Sequence, residues 1–294
     1  MNLLLNQMLS KADPSEVPGL SRFFKTGPGQ YGEGDKFLGI KVPVTRAVVK
    51  ECWRSTSFED LEECIRSPYH EVRLAALLAL VEVFKHSGRR SSRRFAPQDD
   101  SIRWQCIDFY LSHMPWINNW DLVDLSCYPL LGQWLLDKED RSLLYDLARN
   151  GRTIWEQRIG IVSTMTFIRN GQLTDTFRIA DILLHHPHDL IHKAVGWLLR
   201  EAGKRDKAAL EAWLQGTPDQ VGGDVRGTGG DGEGTGGDGG GTGGDVMGTG
   251  GVPHVIPGPD RVSRCISMPR TMLRYAIEKF PEEERKRYLL EKSR

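Results

Sequence analysis

The sequence has no CxxC pair and no Cys/His cluster at zinc-ligand spacing, which argues against a structural zinc. Its five cysteines, Cys52, Cys64, Cys106, Cys127 and Cys265, are odd in number and widely scattered. They fit reduced thiols in a cytoplasmic protein better than a disulfide framework. No apolar run approaches the roughly 20 residues that a membrane span needs. The opening "MNLLLNQMLSKADPSEV" lacks a basic n-region, a long apolar core and a small-residue cleavage site, so no signal peptide is expected. Strand signals are equally scarce, with no Asn-Gly hairpin between alternating apolar residues. Net charge is missing as well, since 39 Lys and Arg balance 39 Asp and Glu. The expectation is a soluble, intracellular, all-helical protein that uses neither metal nor cofactor.

The charge balance hides an uneven distribution. Residues 218–260 hold six Asp and one Glu against one Arg, a net of −6, together with 18 of the 32 glycines. The remainder of the chain is therefore mildly basic, which is compatible with a polyanionic partner. Within the segment, GTGG recurs every seven residues in "RGTGGDGEGTGGDGGGTGGDVMGTGG". Calcium-binding Gly/Asp repeats have a nine-residue period and an apolar residue packed inside each coil. This run has neither, so the expectation is a flexible Gly/Asp/Thr-rich insertion at 218–260. It would interrupt one helical domain formed by 1–217 and 261–294, with the helices at 206–215 and 267–279 close together. A second polar stretch, "GRRSSRRFAPQDD" from Gly88 to Asp100, reads as a solvated connector or as an arm touching nucleic-acid phosphates.

Helical signals fill the rest. "DPSE" at Asp13 reads as an N-cap with proline at N1, and "SFED" at Ser57 and "TIWE" at Thr153 resemble capping boxes. "HEVRLAALLALVEVFKHS" from His70 suits a helix buried on most sides. Further helices are expected near 42–54, 57–66, 101–114, 117–136, 139–149, 153–169, 173–185, 188–204, 206–215, 267–279 and 281–291. Segments of this length joined by short loops suggest antiparallel pairs stacked into a HEAT-like α-solenoid with a concave binding surface; a globular bundle is the competing architecture.

Three stretches carry chemistry. In "WINNWDLVDLS", helical spacing puts Trp116, Trp120 and Asp124 on one face with no base nearby. A distant segment or a ligand must supply the acid's partner. In "HDLIHKAVGWLLREAGKRDK" from His188, Trp197 stands in a stripe with Lys193, Arg200 and Lys204. That stripe suits an anionic, aromatic ligand such as nucleic acid, or a boundary tryptophan covered by long basic chains. In "TIWEQRIGIV", Arg158 is placed to bind a phosphate bidentately, or to pair with Glu156 or an acid on a neighbouring helix.

With these residues in order, the chain resembles the DNA alkylation repair enzymes of the AlkD kind, HEAT-like DNA glycosylases. "FFKTGPGQYGEGDKFLGIKVPVTRAVVKE" resembles the family's opening helix, glycine-containing loop and G-(I/V)-x-x-P-x-x-R helix start. "NNWDLVD", "WEQRIGIV" and "HKAVGWLLREAGK" resemble its W-x-x-x-D, W-x-x-R and K-A-x-G-W-x-L-R-E helices. The match runs from about Leu20 to Lys204 and resumes at "MPRTMLRYAIEKF".

The resemblance implies an α-solenoid with a DNA-binding cleft and excision of cationic N-alkylated purines, such as 7-methylguanine or 3-methyladenine, from double-stranded DNA. Asp124, Trp120 and Trp197 would be catalytic. Asp124 would stabilise the oxocarbenium-like sugar and orient water, while the indoles shelter that sugar. Arg158, Lys193, Arg200 and Lys204 would contact DNA. Relatives place an N-terminal aromatic beside the lesion, for which Phe23, Phe24 and Tyr31 are candidates here. A metal-free monomer is expected. The alternative is a noncatalytic HEAT-like module that binds unusual DNA structures or protein partners.

Overall fold

The computed structural model of the protein describes residues 1–87, 97–216 and 263–291. All regular structure among them is helical; the single bridge, Lys36 to Tyr69, is isolated. The helices are α1 (Leu3–Ser10), α2 (Val17–Phe23), α3 (Val42–Cys52), α4 (Phe58–Ile65), α5 (His70–Ser87) and α6 (Pro97–Ser112). They continue as α7 (Trp120–Cys127), α8 (Gln133–Leu135), α9 (Ser142–Asn150), α10 (Ile154–Val162), α11 (Met165–Arg169) and α12 (Thr174–Leu183). The last five are α13 (Asp189–Arg205), α14 (Lys207–Gln215), α15 (Arg264–Ser267), α16 (Arg270–Ala276) and α17 (Glu282–Glu291).

The pairs α4–α5, α9–α10 and α12–α13 each pack together, and α5, α7, α10, α13 and α16 form a second layer in which each stacks on the next. This is the two-layered stack of an α-solenoid, as the helix lengths and loops predict. The Leu/Ala-rich α5 lies at its centre, with every residue from His70 to Val81 buried. Where α13 meets α16, the backbone of Gly196 comes so close that an added Cβ would lie 2.5 Å from Cβ of Tyr275 and 2.6 Å from the Met272 carbonyl. The K-A-x-G-W spacing therefore has a packing reason.

Local chemistry sets the helix ends. Ser57 accepts from the Asp60 N–H at 3.2 Å while Asp60 accepts from the Ser57 N–H at 3.0 Å, a complete capping box. Thr153 caps α10 through the Glu156 N–H, but the Glu156 carboxylate turns to the Arg152 N–H instead of back to Thr153. "DPSE" differs from expectation. Asp13 closes a turn by accepting from the N–H and hydroxyl of Ser15, and the helix starts only at Val17. Nor does α6 wait until residue 101; it starts at Pro97, where a missing N–H costs nothing.

The expected continuous helix at 117–136 is broken by a π-turn over Tyr128–Gly132. Pro129 cannot donate to the preceding turn. Thr166 Oγ1 donates to the Tyr128 carbonyl at 2.6 Å and ties the turn to α11. A Cβ at Gly132 would lie 2.3 Å from the Ser163 carbonyl, so glycine lets this turn sit against the α10–α11 junction.

The run Gly88 to Asp100 falls mostly outside the described residues, as does 218–260. The helices that flank the latter segment meet. Ser263 Oγ donates to the Leu214 carbonyl at 3.0 Å and Arg264 Nη1 to the Trp213 carbonyl at 3.0 Å. All five cysteines are free and buried. No described helix is long and apolar enough to cross a membrane.

Candidate functional site

Three successive second-layer helices contribute the residues singled out in the sequence: Trp120 and Asp124 from α7, Arg158 from α10, and Lys193, Trp197 and Arg200 from α13. Trp116 is not part of the α7 row. It ends a 3₁₀ turn (Met114–Trp116), and the backbone leaves helical geometry before Asn119 caps α7 through the Trp120 N–H.

Asp124 has a partner within the chain. Arg158 Nε donates to Asp124 Oδ1 and Nη2 to Oδ2, each at 2.8 Å, in a bidentate fork. The remaining terminal nitrogen, Nη1, donates to the Leu190 carbonyl just inside α13. Arg158 is 6% exposed and Asp124 15% exposed at the side chain. The fork therefore locks α7, α10 and α13 together. Each of its nitrogens donates to the protein, and the fork is the pairing with an acid on a neighbouring helix that the sequence also offered. Burial raises the Asp124 carboxyl above the ordinary aspartate pKa, against the lowering pull of Arg158 and with a small push from Asp121.

The basic stripe on α13 is likewise engaged. Lys193 pairs with Asp189 at 2.7 Å, Lys204 with Glu201 at 2.7 Å, and Arg200 with both Glu278 and Glu201. Lys193 and Lys204 are more than two-fifths exposed and Arg200 about one-fifth. Such pairs are weak in water and exchange partners readily, unlike the buried fork at Arg158. Trp197 is half-buried against the core on this helix.

Phe23 and Phe24 both reach Trp120. Phe24 stacks on it at 5.5 Å between ring centres and Phe23 meets it edge-on at 5.9 Å. Tyr31 packs instead against Trp155 of α10, at 6.0 Å. Phe24 is buried, whereas Phe23 is 61% exposed and forms the outer lip.

Beneath this aromatic layer lies a charged network that the sequence reading passed over. His70 Nδ1 meets Asp35 Oδ2 at 3.0 Å and Nε2 meets Asp121 Oδ2 at 2.9 Å, with Phe24 and Phe37 covering the ring at 4.7 and 4.9 Å. Arg73 pairs with the other oxygen of Asp35 and donates to Asn118 Oδ1 at 3.1 Å. Burial acts to lower the His70 pKa, but hydrogen bonds and charge from both aspartates win and raise it to about 9. The imidazolium fixes the start of α7, and with it Trp120, to the N-terminal half of the chain. Next to it, Glu71 accepts from the N–H groups of Leu38, Gly39 and Ile40 at 2.9 to 3.1 Å, holding the loop that precedes α3. The available signal was a His-Glu pair opening an otherwise apolar helix.

A family model for the DNA alkylation repair enzyme matches residues 4–280. The chain belongs to that family. A predicted DNA alkylation repair enzyme from Enterococcus faecalis shares the fold, with a TM-score of 0.50 at 15% identity over 69% of this chain and 88% of that one. No curated protein matches the chain. For a DNA alkylation repair enzyme the natural ligand is DNA, and the α7–α10–α13 surface joins half-buried indoles, a held carboxylate and exchangeable cations. No grouping of three or more His, Cys, Asp or Glu among the described residues could hold a metal ion.

Proposed function

We propose that this DNA alkylation repair enzyme is a glycosylase that hydrolyses the N-glycosidic bond of cationic N-alkylated purines in duplex DNA. The observation that carries the reading is the Asp124 carboxylate, fixed by a two-toothed guanidinium fork and still partly open to solvent, on the helix that carries Trp120. In the reaction the glycosidic electron pair goes to the base, neutralising its positive charge, so no acid is needed at the leaving group. The sugar becomes oxocarbenium-like and is stabilised by the pre-oriented negative charge of Asp124. Water adds to C1′, and Asp124, whose proton affinity is raised by burial, is suited to receive the proton it sheds. Trp120, backed by Phe24, and Trp197 would face the cationic sugar. Arg158 acts as a positioning residue that fixes both oxygens of Asp124. Lys193, Arg200 and Lys204 would release their carboxylate partners for DNA phosphates.

The Asp124–Arg158 fork also favours a second reading. A carboxylate satisfied by an arginine meets a structural need, as in a noncatalytic HEAT-like module that binds DNA or protein without bond cleavage. Incubation of the protein with methylated duplex DNA, followed by chromatography of released bases, separates the two. Release of 7-methylguanine or 3-methyladenine is expected; intact methylated DNA after prolonged incubation at high enzyme would leave only the binding module. In either reading the described helices that flank residues 218–260 meet, so the chain on both sides contributes to one stack.

A further inference from the structure

A cleft of about 630 Å³ opens farther along the same layer of helices, between α3, α5, the π-turn after α7, and α11. Its volume is that of a ligand site, within the usual range of about 300–1,000 Å³. The floor is apolar, from Val49, Leu78, Val81 and Leu125, and the rim carries Arg46, Lys50, Lys85 and Arg169 against a single acid, Glu82. Glu82 is occupied with Lys85 at 3.0 Å. Arg46 and Lys50 form no ion pair among the described residues, and both are exposed. Arg169 lies over the Tyr128 ring at 4.7 Å. The cations of the α13 stripe all have carboxylate partners; Arg46, Lys50 and Arg169 have none among the described residues.

Position ties the cleft to the Asp124 site. Trp120, Asp124 and Tyr128 are four residues apart along one row. From Asp124 to the lining residues Tyr128 and Gln133 is four to nine residues, or about 6–14 Å at a helical rise of about 1.5 Å. One DNA strand advances about 3.4 Å per nucleotide, so a strand laid along α7 would meet the cleft two to four nucleotides from a lesion held at Asp124. Free positive charge, an aromatic ring capped by a guanidinium, and an apolar floor suit a phosphodiester with a base or sugar laid against it.

We infer that this cleft is a second strand-binding subsite: Arg46, Lys50 and Arg169 hold phosphates of the DNA flank, and Tyr128 gives the adjoining nucleotide an aromatic surface. The inference rests on the DNA-glycosylase reading for its choice of DNA. Arg46 is also the arginine of the G-(I/V)-x-x-P-x-x-R motif, otherwise without a role.

The test uses the full chain and three forms: wild type, Arg46→Ala/Lys50→Ala, and Arg169→Ala. Because the three cations are exposed, all forms should fold alike by circular dichroism. Binding to an undamaged 20-base-pair duplex is measured from low to moderate salt. Each phosphate contact contributes about 0.9 to the slope of log K against log salt. The double variant should therefore lose about 1.8 from the slope and Arg169→Ala about 0.9. Unchanged slopes would overturn the subsite. So would a wild type that binds deoxyadenosine monophosphate through Arg46 and Lys50 while duplex slopes stay equal, since the occupant would then be a free nucleotide. Base release from methylated duplex is scored separately. A wild type that binds but releases nothing refutes the glycosylase reading and leaves the cleft to be decided by its slopes.

Discussion

Raising the pH from 6.5 to 9 should weaken the fold through one side chain. His70 titrates near 6.5 when unfolded and near 9 when held between Asp35 and Asp121. A group whose pKa is raised by folding contributes stability that is fully present below its unfolded pKa and is lost as the pH rises through its folded one. The interval from 6.5 to about 9 corresponds to about 3.5 kcal/mol at most, taking about 1.4 kcal/mol per pH unit. The buried thiols also cost stability toward the top of this window, because unfolded cysteines ionise from about pH 8.5 while the folded ones do not. His70→Gln shares that loss, so the comparison cancels it. Burial pushes the Cys64 and Cys106 thiols up to about 11 and about 12, and it lowers His186 and His188 below the ordinary histidine value. Urea unfolding at half-unit pH steps gives the profile, and the same series on His70→Gln supplies the baseline. The difference should be greatest near pH 6 and nearly gone by pH 9.5. A difference that stays flat or grows with pH would refute the view that His70 is an imidazolium clamped between two carboxylates.

Further outcomes follow from the same contacts. Arg158→Met leaves Asp124 buried without its counter-charge and should cost about 3–5 kcal/mol in denaturant unfolding; a loss below about 1 kcal/mol would mean the fork is not maintained in solution. Phe24→Ala removes the buried ring between Trp120 and His70 and should cost about 3–5 kcal/mol. Phe23→Ala, at the exposed lip, should change stability by less than about 0.5 kcal/mol yet slow base release. Equal effects of the two on stability would contradict the assignment of one to support and the other to the cleft. Gly196→Ala forces α13 away from α16 and should cost about 1–3 kcal/mol by thermal melting; an unchanged melting temperature would deny the close approach.

What the sequence disclosed and what it hid divide along physical lines. Local signals were readable where the interaction is local, as at the Ser57 capping box or the apolar run of α5. The π-turn was not, because Pro129 breaks α7 only in combination with the close approach of α10–α11 at Gly132. Trp120, Asp124, Arg158 and Trp197 were legible as motif residues, but the pairing of Asp124 with Arg158 spans 34 positions and has no local pattern. The acid of "WINNWDLVDLS" that lacked a base therefore has one, brought by folding. Its neighbour Asp121 belongs to the His70 network, whose members Asp35, His70, Arg73 and Asn118 come from three separate segments. Arg46 stood in a recognisable motif, whereas its role depends on a cleft formed with residues more than a hundred positions away.

The central claim is that Asp124 drives bond cleavage and is more than a structural partner of Arg158. Asp124→Asn retains a carbonyl that can accept one of the two Arg158 hydrogen bonds, so the variant should fold at reduced stability and can be assayed well below its melting temperature. Single-turnover release of 7-methylguanine from methylated duplex, with duplex affinity measured on the same samples, is the decisive comparison. The account predicts loss of at least about 100-fold in rate, the scale of removing one electrostatic stabiliser, with affinity nearly unchanged. A folded Asp124→Asn protein that releases base at the wild-type rate would contradict it.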